Sequence, residues 1–489
     1  MRRTYFHIAL LLLLMPSAVS AQAFSADAWL EDFAQLKREL AGHYANLEWA
    51  IEARGLNLPR LSAETEARLR QARSDAEAQQ AFQTFLRAFG DGHVGVRWPA
   101  ATASTPTPAA TPATLCERLG YRTMDVRAGV DFAGLPGFEP LETPDSARFP
   151  SGILSLPDGR RVGVLRIALF VDTRFPDLCT EAVASLGLAP DAPSEGNQGP
   201  VDRATANLLT ASVERQVEAL KRWGIAMLLV DITANGGGSN WLEPVARMLT
   251  DVRLQAPRVG FIRHPHYERI FQDRIRELEG AHHDAPAHLR PLIERGLQTY
   301  RTAISEAARA CDRMGLWEGR SVACSGISTE PPIYATGLLP YAAPGSLPMR
   351  PWNTALFYPS RYVYREGVYP GPLVVLVDAG TASAAEYFAA MLRDNQAALL
   401  VGVPTAGAGC GYVNGGVPAT LARSGGRVTM PDCVRLRADG SNEVAGLTPD
   451  VMVPWRANDN AYQRARRVVD LLPQVLERAS STLQRSRAK

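Results

Sequence analysis

Apolar side chains recur at helical spacing through the N-terminal part of the chain. In the first segment they lie three or four positions apart: Trp29, Phe33, Leu36, Leu40, Tyr44 and Leu47. Two further amphipathic segments follow, at about residues 64–73 and 76–89. This periodicity predicts a small helical bundle over residues 22–100 that ends in a short strand at residues 94–96.

Further along, continuous apolar runs alternate with helical patterns. Residues 226–232 read as a buried strand that ends in a glycine-rich turn at 235–238, and a helical pattern follows. Residues 373–377 repeat this order of strand, turn and helix, with Ser383 at the start of the helix, and 398–403 give another strand. Strands that alternate with helices favour an α/β layer with a mainly parallel sheet.

Changes in composition and periodicity divide the rest of the chain. Residues 100–113 are rich in Ala, Thr and Pro and read as a linker, whereas 264–350 are charged, His-rich and interrupt the α/β pattern. We therefore predict the following segments after the bundle: a linker or small subdomain at 101–150, a core in two parts at 151–263 and 351–456, an insertion that could form a lid at 264–350, and a C-terminal helix at 457–489.

The N-terminus has the pattern of a secretory signal peptide. Arg2 and Arg3 precede an apolar run at residues 8–15, and small residues suitable for cleavage stand at 19–21. Residues 1–21 are therefore predicted to be removed on export, which places the protein outside the cell or in the periplasm. The run is too short to span a bilayer, and no segment of the mature chain is predicted to do so.

Charge and cysteine content narrow the possible partners. The net formal charge is +2 and no basic run is interleaved with aromatic residues, so nucleic-acid binding is not expected. Six cysteines in an exported chain can form three disulfides. Proximity favours three pairs, although other connectivities stay open. The pairs are Cys116–Cys179, Cys311–Cys324 and Cys410–Cys433.

No cofactor or metal is expected from the sequence. There is no C-x-x-C spacing of the kind found in redox and zinc motifs. His264, His266, His282 and His283 could be read as metal ligands, but we interpret them as solvated residues of the insertion because acidic or cysteine partners at ligand spacing are lacking apart from Asp284.

The candidate chemistry centres on Ser383. A strand, a small-residue turn and a helix place its hydroxyl at a helix N-terminus, where the unpaired N–H groups favour developing negative charge. That geometry suits a nucleophile that forms an oxyanion. The alternative is a serine that only caps the helix. The glycine turn, His93 and Glu443 supply the other parts needed for acyl transfer: oxyanion donors, a base and a residue that orients the base.

Six segments in this order resemble the S41 serine peptidases, the family of tail-specific, C-terminal-processing and tricorn-core proteases. The segments are GDGHVGV (90–96), VGVLRIALF (162–170), LLVDITANGGG (228–238), TASAAEYFAAMLRDN (381–395), VGVPTAGAG (401–409) and EVAGLTPDVMV (443–453). The resemblance implies a ClpP/crotonase-like α/β core with an N-terminal helical bundle, and a serine peptidase that cleaves peptides or proteins. An inactive binding protein of the same fold and an esterase are the alternatives. Residues 101–150 are too few for a full PDZ domain.

The resemblance also indicates a catalytic type. Ala408 stands where the tail-specific proteases have the lysine of a Ser–Lys dyad, so the chain is closer to the tricorn-like His/Glu type. Ser383 is then the nucleophile, His93 the base and Glu443 its orienter. The tricorn-like branch has a serine before the histidine, and here this is Gly92, so Glu443 would have to reach His93 directly or through water.

The remaining assignments complete the expected site. Gly237 and Ala384 are the predicted oxyanion donors, and His43 is the alternative base. A base with an unperturbed pKa near 6.5 predicts activity that falls below roughly pH 6–7. A disulfide between Cys410 and Cys433 would hold the loop beside Ser383. The substrate and the oligomeric state are not predicted.

Overall fold

The computed structural model describes residues 24–99, 113–281 and 284–487. The predicted signal peptide, nearly all of the predicted linker at 100–113, and the pair His282 and His283 lie outside these residues. The helices are α1 (Ala26–His43), α2 (Leu47–Glu52), α3 (Leu58–Gln71), α4 (Asp75–Arg87), α5 (Leu115–Arg118), α6 (Pro176–Ser185), α7 (Gln198–Arg222), α8 (Leu242–Met248), α9 (Pro265–Gly280), α10 (Arg290–Ala307), α11 (Asn353–Leu356), α12 (Ala384–Asp394), α13 (Ala461–Val469) and α14 (Leu472–Arg487). The strands are β1 (Gly95–Arg97), β2 (Phe138–Pro140), β3 (Ser151–Ser155), β4 (Arg161–Arg166), β5 (Met227–Asp231), β6 (Arg258–Ile262), β7 (Ile327–Tyr334), β8 (Leu373–Val377), β9 (Leu399–Gly402), β10 (Ala419–Thr420), β11 (Arg427–Thr429), β12 (Cys433–Leu436) and β13 (Val451–Met452).

The N-terminal helices α1–α4 pack around an aromatic cluster. Ser25, Asn57 and Ser74 cap α1, α3 and α4 by accepting backbone N–H groups, which satisfies donors that a helix N-terminus leaves unpaired. Phe33 and Phe85 lie edge to face within the cluster, with ring centroids 4.8 Å apart. After α4 the chain enters β1, which pairs with β11 and so attaches the helical region to the core.

A seven-stranded sheet forms the centre of the molecule, in the order β13-β9-β8-β5-β4-β3-β2. The pairs from β13 to β4 are parallel, and β3 and β2 are antiparallel additions at one edge. Side chains alternate between two covered faces. Leu228 and Val230 pack with α7, α8 and α12, whereas Leu229 and Val374 pack with α13 and α14. The predicted α/β fold with a helical N-terminal region and a mainly parallel sheet is confirmed.

The predicted insertion contributes a strand as well as helices. Strand β7 pairs antiparallel with β6, and β6 pairs with β12, so a small sheet joins segments from before, within and after residues 264–350. Helices α9 and α10 pack against one another and share a hydrophobic core with this sheet. The insertion is thereby fixed beside the carboxyl ends of the central strands.

Regular secondary structure is interrupted near the C-terminus and is sparse at residues 113–150. The C-terminal amphipathic stretch, predicted as one helix, forms two, α13 and α14. Pro473 lacks an N–H and its ring clashes with the carbonyl four residues earlier, so the first helix ends before it. Residues 113–150 contain only the four-residue α5 and the three-residue β2 among their regular elements.

Three disulfides link parts of the chain that lie near one another in sequence. They are the pairs favoured by proximity: Cys116–Cys179, Cys311–Cys324 and Cys410–Cys433. Within residues 24–99, 113–281 and 284–487, no helix is both long enough and apolar enough to cross a membrane.

Candidate active site

Two turns meet where neighbouring parallel strands end. The turn after β5 and the turn after β8 are joined by Asp378, whose carboxylate accepts the N–H groups of Ala234 at 2.7 Å and Gly380 at 2.9 Å. Asn235 accepts the N–H of Ala382 through its backbone oxygen, at 3.0 Å. Because the carboxyl ends of parallel strands open on one edge of a sheet, these turns place the glycine-rich segment directly beside Ser383.

Ser383 lies in a strained backbone conformation immediately before α12. Its φ is +57° and its ψ is −119°, a backbone conformation that residues other than glycine rarely adopt. The strain is maintained by the surrounding hydrogen bonds of the turn. The side chain is thereby directed toward the histidine of a distant loop, since Ser383 Oγ lies 3.1 Å from His93 Nε2.

His93 is held in place by a buried network at the end of α4. The carboxylate of Asp91 accepts the backbone N–H of His93 at 3.0 Å, and it also accepts hydrogen bonds from Tyr44 Oη and Asn46 Nδ2. The hydroxyl of Tyr412 donates to the backbone oxygen of His93, and its ring lies edge to face with the imidazole. The histidine and serine are 290 residues apart in sequence, so tertiary structure alone brings them together.

The imidazole of His93 is neutral at ordinary pH. Burial, and then the positive charge of Arg435, lower the pKa of His93 to about 4. This differs from the unperturbed value expected from the sequence, because neither the burial nor the nearby guanidinium is visible in the local motif. A neutral imidazole is the form that accepts a proton from a serine hydroxyl. Nδ1 of His93 has no hydrogen-bond partner among the described residues.

The backbone N–H group of Ala384 lies next to Ser383, at the start of α12. Ala384 is the first residue of α12, and its N–H has no partner within the described part of the chain. A Cβ on Gly237 would lie 2.7 Å from this nitrogen, so only glycine leaves it open. The N–H of Gly237, the expected second donor, instead donates to Asn235 Oδ1 at 2.9 Å. The next residue, Gly238, lines the cavity beside Ser383.

Glu443 is buried near the site but contacts Arg435 rather than His93. Both of its carboxylate oxygens accept hydrogen bonds from the guanidinium of Arg435, at 2.9 and 2.7 Å. The expected direct contact between Glu443 and His93 is not present, since Nδ1 of His93 has no hydrogen-bond partner among the described residues. Arg435 also lies over the ring of Tyr387, 4.7 Å from the centroid.

Glu386 joins the nucleophile helix to the loop after β9. Its carboxylate accepts N–H groups from Ser383 at 3.1 Å, Gly407 at 2.8 Å and Ala408 at 2.7 Å. In the structure Glu386 fixes the loop that would carry the lysine of a Ser–Lys dyad, although burial raises the pKa of its carboxyl group.

The same loop explains the glycine before His93. Gly92 donates its N–H to Gly407 O at 3.2 Å, and a Cβ on Gly92 would lie only 2.8 Å from the Cβ of Ala408. A serine at this position has no room unless the loop moves. Gly92, where the chain departs from the tricorn-like pattern, and Ala408 therefore pack against each other, and the residue type at one position restricts the other.

A cavity of about 410 Å³ opens beside the serine and histidine. Its walls include Arg435 and the disulfide-bonded Cys410 and Cys433, and it extends to side chains of α9 and α10 in the insertion. His43, the alternative base, lies elsewhere, 3.0 Å from Glu39 and against the ring of His264. No group of three or more potential metal ligands occurs in the described ranges.

Sequence reasoning missed four residues that shape the site: Asp91, Glu386, Tyr412 and Arg435. Two of them had a usable signal. Asp91 stands two residues before His93. Arg435 is an isolated charge in an otherwise apolar strand, and because it follows Cys433 by two residues, Cys433 and Arg435 share one face of β12. The partners of Tyr412 and Glu386 depend on loop packing and carry no local pattern.

A serine at the N-terminus of a helix, with a neutral histidine 3.1 Å away and the unpartnered N–H of Ala384 beside it, is the kind of arrangement that serine hydrolases use. The sequence model of peptidase family S41 matches residues 203–453, which is more than half of the chain. The protein belongs to this family of serine peptidases.

Known proteins give two further comparisons. The structure of mature CPAF complexed with lactacystin is similar with a TM-score of 0.57 at 16% identity, and the match covers 93% of this chain and 99% of that one. A second structure of mature CPAF gives a TM-score of 0.56 at 17% identity, covering 93% and 98%. These likenesses support the fold.

An uncharacterized protein of Chlamydia muridarum is 36% identical over 95 residues. This match spans 19% of the chain and 16% of that relative.

Proposed function

We propose that the protein is an exported serine peptidase in which Ser383 is the nucleophile and His93 the general base. The observation that carries the proposal is the 3.1 Å separation between Ser383 Oγ and His93 Nε2, at the N-terminus of α12. The strained backbone of Ser383 supports it, since a residue that only caps a helix needs no such conformation.

The reaction would follow the acyl-enzyme route. Ser383 Oγ attacks the peptide carbonyl while His93 Nε2 takes the hydroxyl proton, and the N–H groups of Ala384 and Gly238 stabilise the oxyanion. The C–N bond then breaks, and His93 returns its proton to the leaving amine. Water, activated by His93, hydrolyses the acyl ester and regenerates the serine.

We assign the site to the His-dependent type rather than the Ser–Lys type. Ala408 supplies no base, and the loop that bears it is packed against Gly92. Glu443 would act through Arg435: the carboxylate holds the guanidinium in place, and the guanidinium keeps His93 neutral. The role of Glu443 is then to position a neighbour of the base, and it does not orient the imidazole itself.

Secretion or a periplasmic location belongs to the same proposal. Three disulfides suit an oxidising compartment, and the N-terminal pattern suits export. The alternative of an inactive binding protein gains no support from a site in which the serine, the histidine and the open N–H groups are assembled.

The proposal is tested by labelling the purified protein with a fluorophosphonate and assaying peptide hydrolysis. Wild-type protein should be labelled at Ser383 and should cleave peptides, whereas Ser383→Ala should lose activity by several orders of magnitude. Because backbone hydrogen bonds hold the turn, and the serine hydroxyl is not needed for them, the free energy of unfolding of the variant should lie within about 1 kcal/mol of the wild-type value. Full activity of the alanine variant contradicts the assignment. Lactacystin, with which mature CPAF was complexed, can be tested as a second inhibitor of this protein.

A further inference from the structure

The cavity beside Ser383 has a wall supplied by the insertion, and this wall is mostly aromatic and aliphatic. Tyr267, Ile270 and Phe271 of α9, Tyr300 of α10 and Ile333 of β7 all line it. Tyr267, Phe271 and Tyr300 are almost fully buried, and they contact one another through their rings. The insertion therefore presents a preformed apolar surface close to the reacting atoms.

The hydroxyl groups in this wall are turned away from a ligand. Tyr300 Oη donates to the backbone oxygen of Ala355 at 2.6 Å, and Tyr267 Oη donates to Asp432 Oδ1 at 3.5 Å. A side chain that packs against this wall therefore meets ring faces and hydrocarbon groups, whereas the rest of the lining includes polar side chains such as Asn240 and Asn414. Aromatic and hydrocarbon surfaces favour apolar groups and penalise polar groups that lose their hydration.

The permanent charges that line the cavity, among the described residues, are already paired. Arg435 forms the buried bidentate pair with Glu443. Arg274 lies on α9, and its Nη1 donates to both carboxylate oxygens of Glu277, at 3.1 and 2.9 Å. The charge of each guanidinium is thus partly offset by a carboxylate partner, and among the described residues no Asp or Glu side chain lines the cavity to attract a substrate cation.

We propose, on the basis of the function proposed above, that this cavity is the subsite for one large uncharged side chain, aromatic or branched aliphatic, next to the scissile bond. Its volume of about 410 Å³ is sufficient for such a group. Glu277 would disfavour acidic side chains by offsetting the charge of Arg274. The insertion would thus determine which peptide bond is cleaved, and the Arg274–Glu277 pair would be its specificity-determining element.

The test uses quenched fluorescent peptides that differ only at the residue before or the residue after the cleaved bond. At one of these two positions, Phe or Leu should give a kcat/KM at least about tenfold above Glu or Lys in the wild-type enzyme. Equal rates for all four residues at both positions, or a preference for a charged residue, overturn the proposal.

A charge-unmasking variant gives the sharper result. Glu277→Gln should raise kcat/KM for the Glu-containing peptide by about two- to fivefold, because Arg274 loses its carboxylate partner and can pair with the substrate. The double variant that adds Arg274→Met should lose this gain. Glu279→Gln makes the same chemical change on α9 at a residue paired with Arg301 outside the cavity, so it should leave the preference unchanged.

These outcomes are separable from failure of the proposed function. If a fluorophosphonate labels Ser383 and peptides are cleaved without side-chain preference, only the subsite assignment is wrong. If Ser383 is not labelled and no peptide is cleaved, the proposed function itself fails and the subsite assignment fails with it. Thermal unfolding of each variant checks that a changed preference does not reflect loss of the fold.

Discussion

At the scale of single residues, the site depends on a histidine that stays neutral and a serine that stays strained. Burial and Arg435 favour the neutral imidazole, whereas the turn between β8 and α12 maintains the unusual backbone of Ser383. A lowered pKa makes His93 a weaker base than free imidazole, yet it keeps the base competent in mildly acidic surroundings. The consequence is a measurable pH dependence.

We expect kcat/KM to stay level from neutral pH down to about pH 5 and to fall below it with an apparent pKa near 4, that of His93. In the proposed mechanism His93 accepts a proton only when its imidazole is deprotonated, so activity should be lost as pH falls through its pKa. The double variant Arg435→Gln, Glu443→Gln lacks the guanidinium, so the fall of kcat/KM at acidic pH should begin at a higher pH than in the wild type. A wild-type limb between pH 6 and 7 would instead show an unperturbed imidazole.

At the scale of elements, the loop that follows β9 is attached to its surroundings at three places. Glu386 binds its beginning, Gly92 contacts its middle, and the Cys410–Cys433 disulfide joins its end to β12. A Cβ on Gly411 would lie 3.0 Å from His93 Nε2, so the chain next to this disulfide touches the base. The bridge is therefore expected to affect catalysis as well as stability.

Serine substitution of both Cys410 and Cys433 should reduce the free energy of unfolding by about 3 kcal/mol, the typical contribution of a bridge that closes a loop of this size. It should also lower kcat, because β12 carries Arg435 and the loop contacts His93. The matched control is serine substitution of Cys311 and Cys324, which should lower stability while kcat is retained. An unchanged kcat in the first variant rejects the link to the site. Mass spectrometry of a non-reducing digest checks the pairing.

Local patterns were sufficient for the central elements. Strands β5 and β8 are short apolar runs followed by turn residues, and α12 has a continuous apolar side, so their existence and order follow from periodicity. The pairing of Glu443 with Arg435 and the use of the Gly237 amide by Asn235 could not be predicted. Each depends on which polar partner is nearest after folding, and neighbouring sequence does not encode that competition.

At the scale of the whole molecule, histidines join three regions. His43 of α1 contacts His264, which accepts the N–H of His266 at the start of α9. His266 Nε2 lies 3.2 Å from Asp432 Oδ2 and 2.8 Å from the backbone oxygen of Val413 in the active-site loop. The helical N-terminal region, the insertion and the loop beside His93 therefore meet at one cluster of titratable groups.

These histidines should have opposite effects on stability as pH changes. Burial and the neighbouring His43 lower the pKa of His264 to about 4, so stability is lost as pH falls below about 6.5. Asp432 raises the pKa of His266, so its contribution is present below about pH 6.5 and is lost as pH rises through its higher folded-state pKa. His264→Asn, which keeps a capping side chain, should reduce the acid loss of Tm, and His266→Gln should increase it.

Thermal unfolding at about pH 5 and about pH 7.5 measures both effects, with the wild type as reference. The prediction concerns the change between the two pH values in each variant, so a uniform loss of Tm from altered packing does not affect it. The prediction is contradicted if the two variants show the same pH dependence.

The contact between Gly92 and Ala408 restricts how this catalytic site could have evolved. A lysine at position 408 would have to place its stem in the volume that now lies against the backbone of Gly92. A larger residue at position 92 would push away the loop that Glu386 holds. Either replacement alone would require one of the two loops to move. Exchange between the Ser–Lys type and the His-dependent type should therefore require the loop with Gly92 and the loop with Ala408 to change together. We expect related enzymes to differ at both positions or at neither.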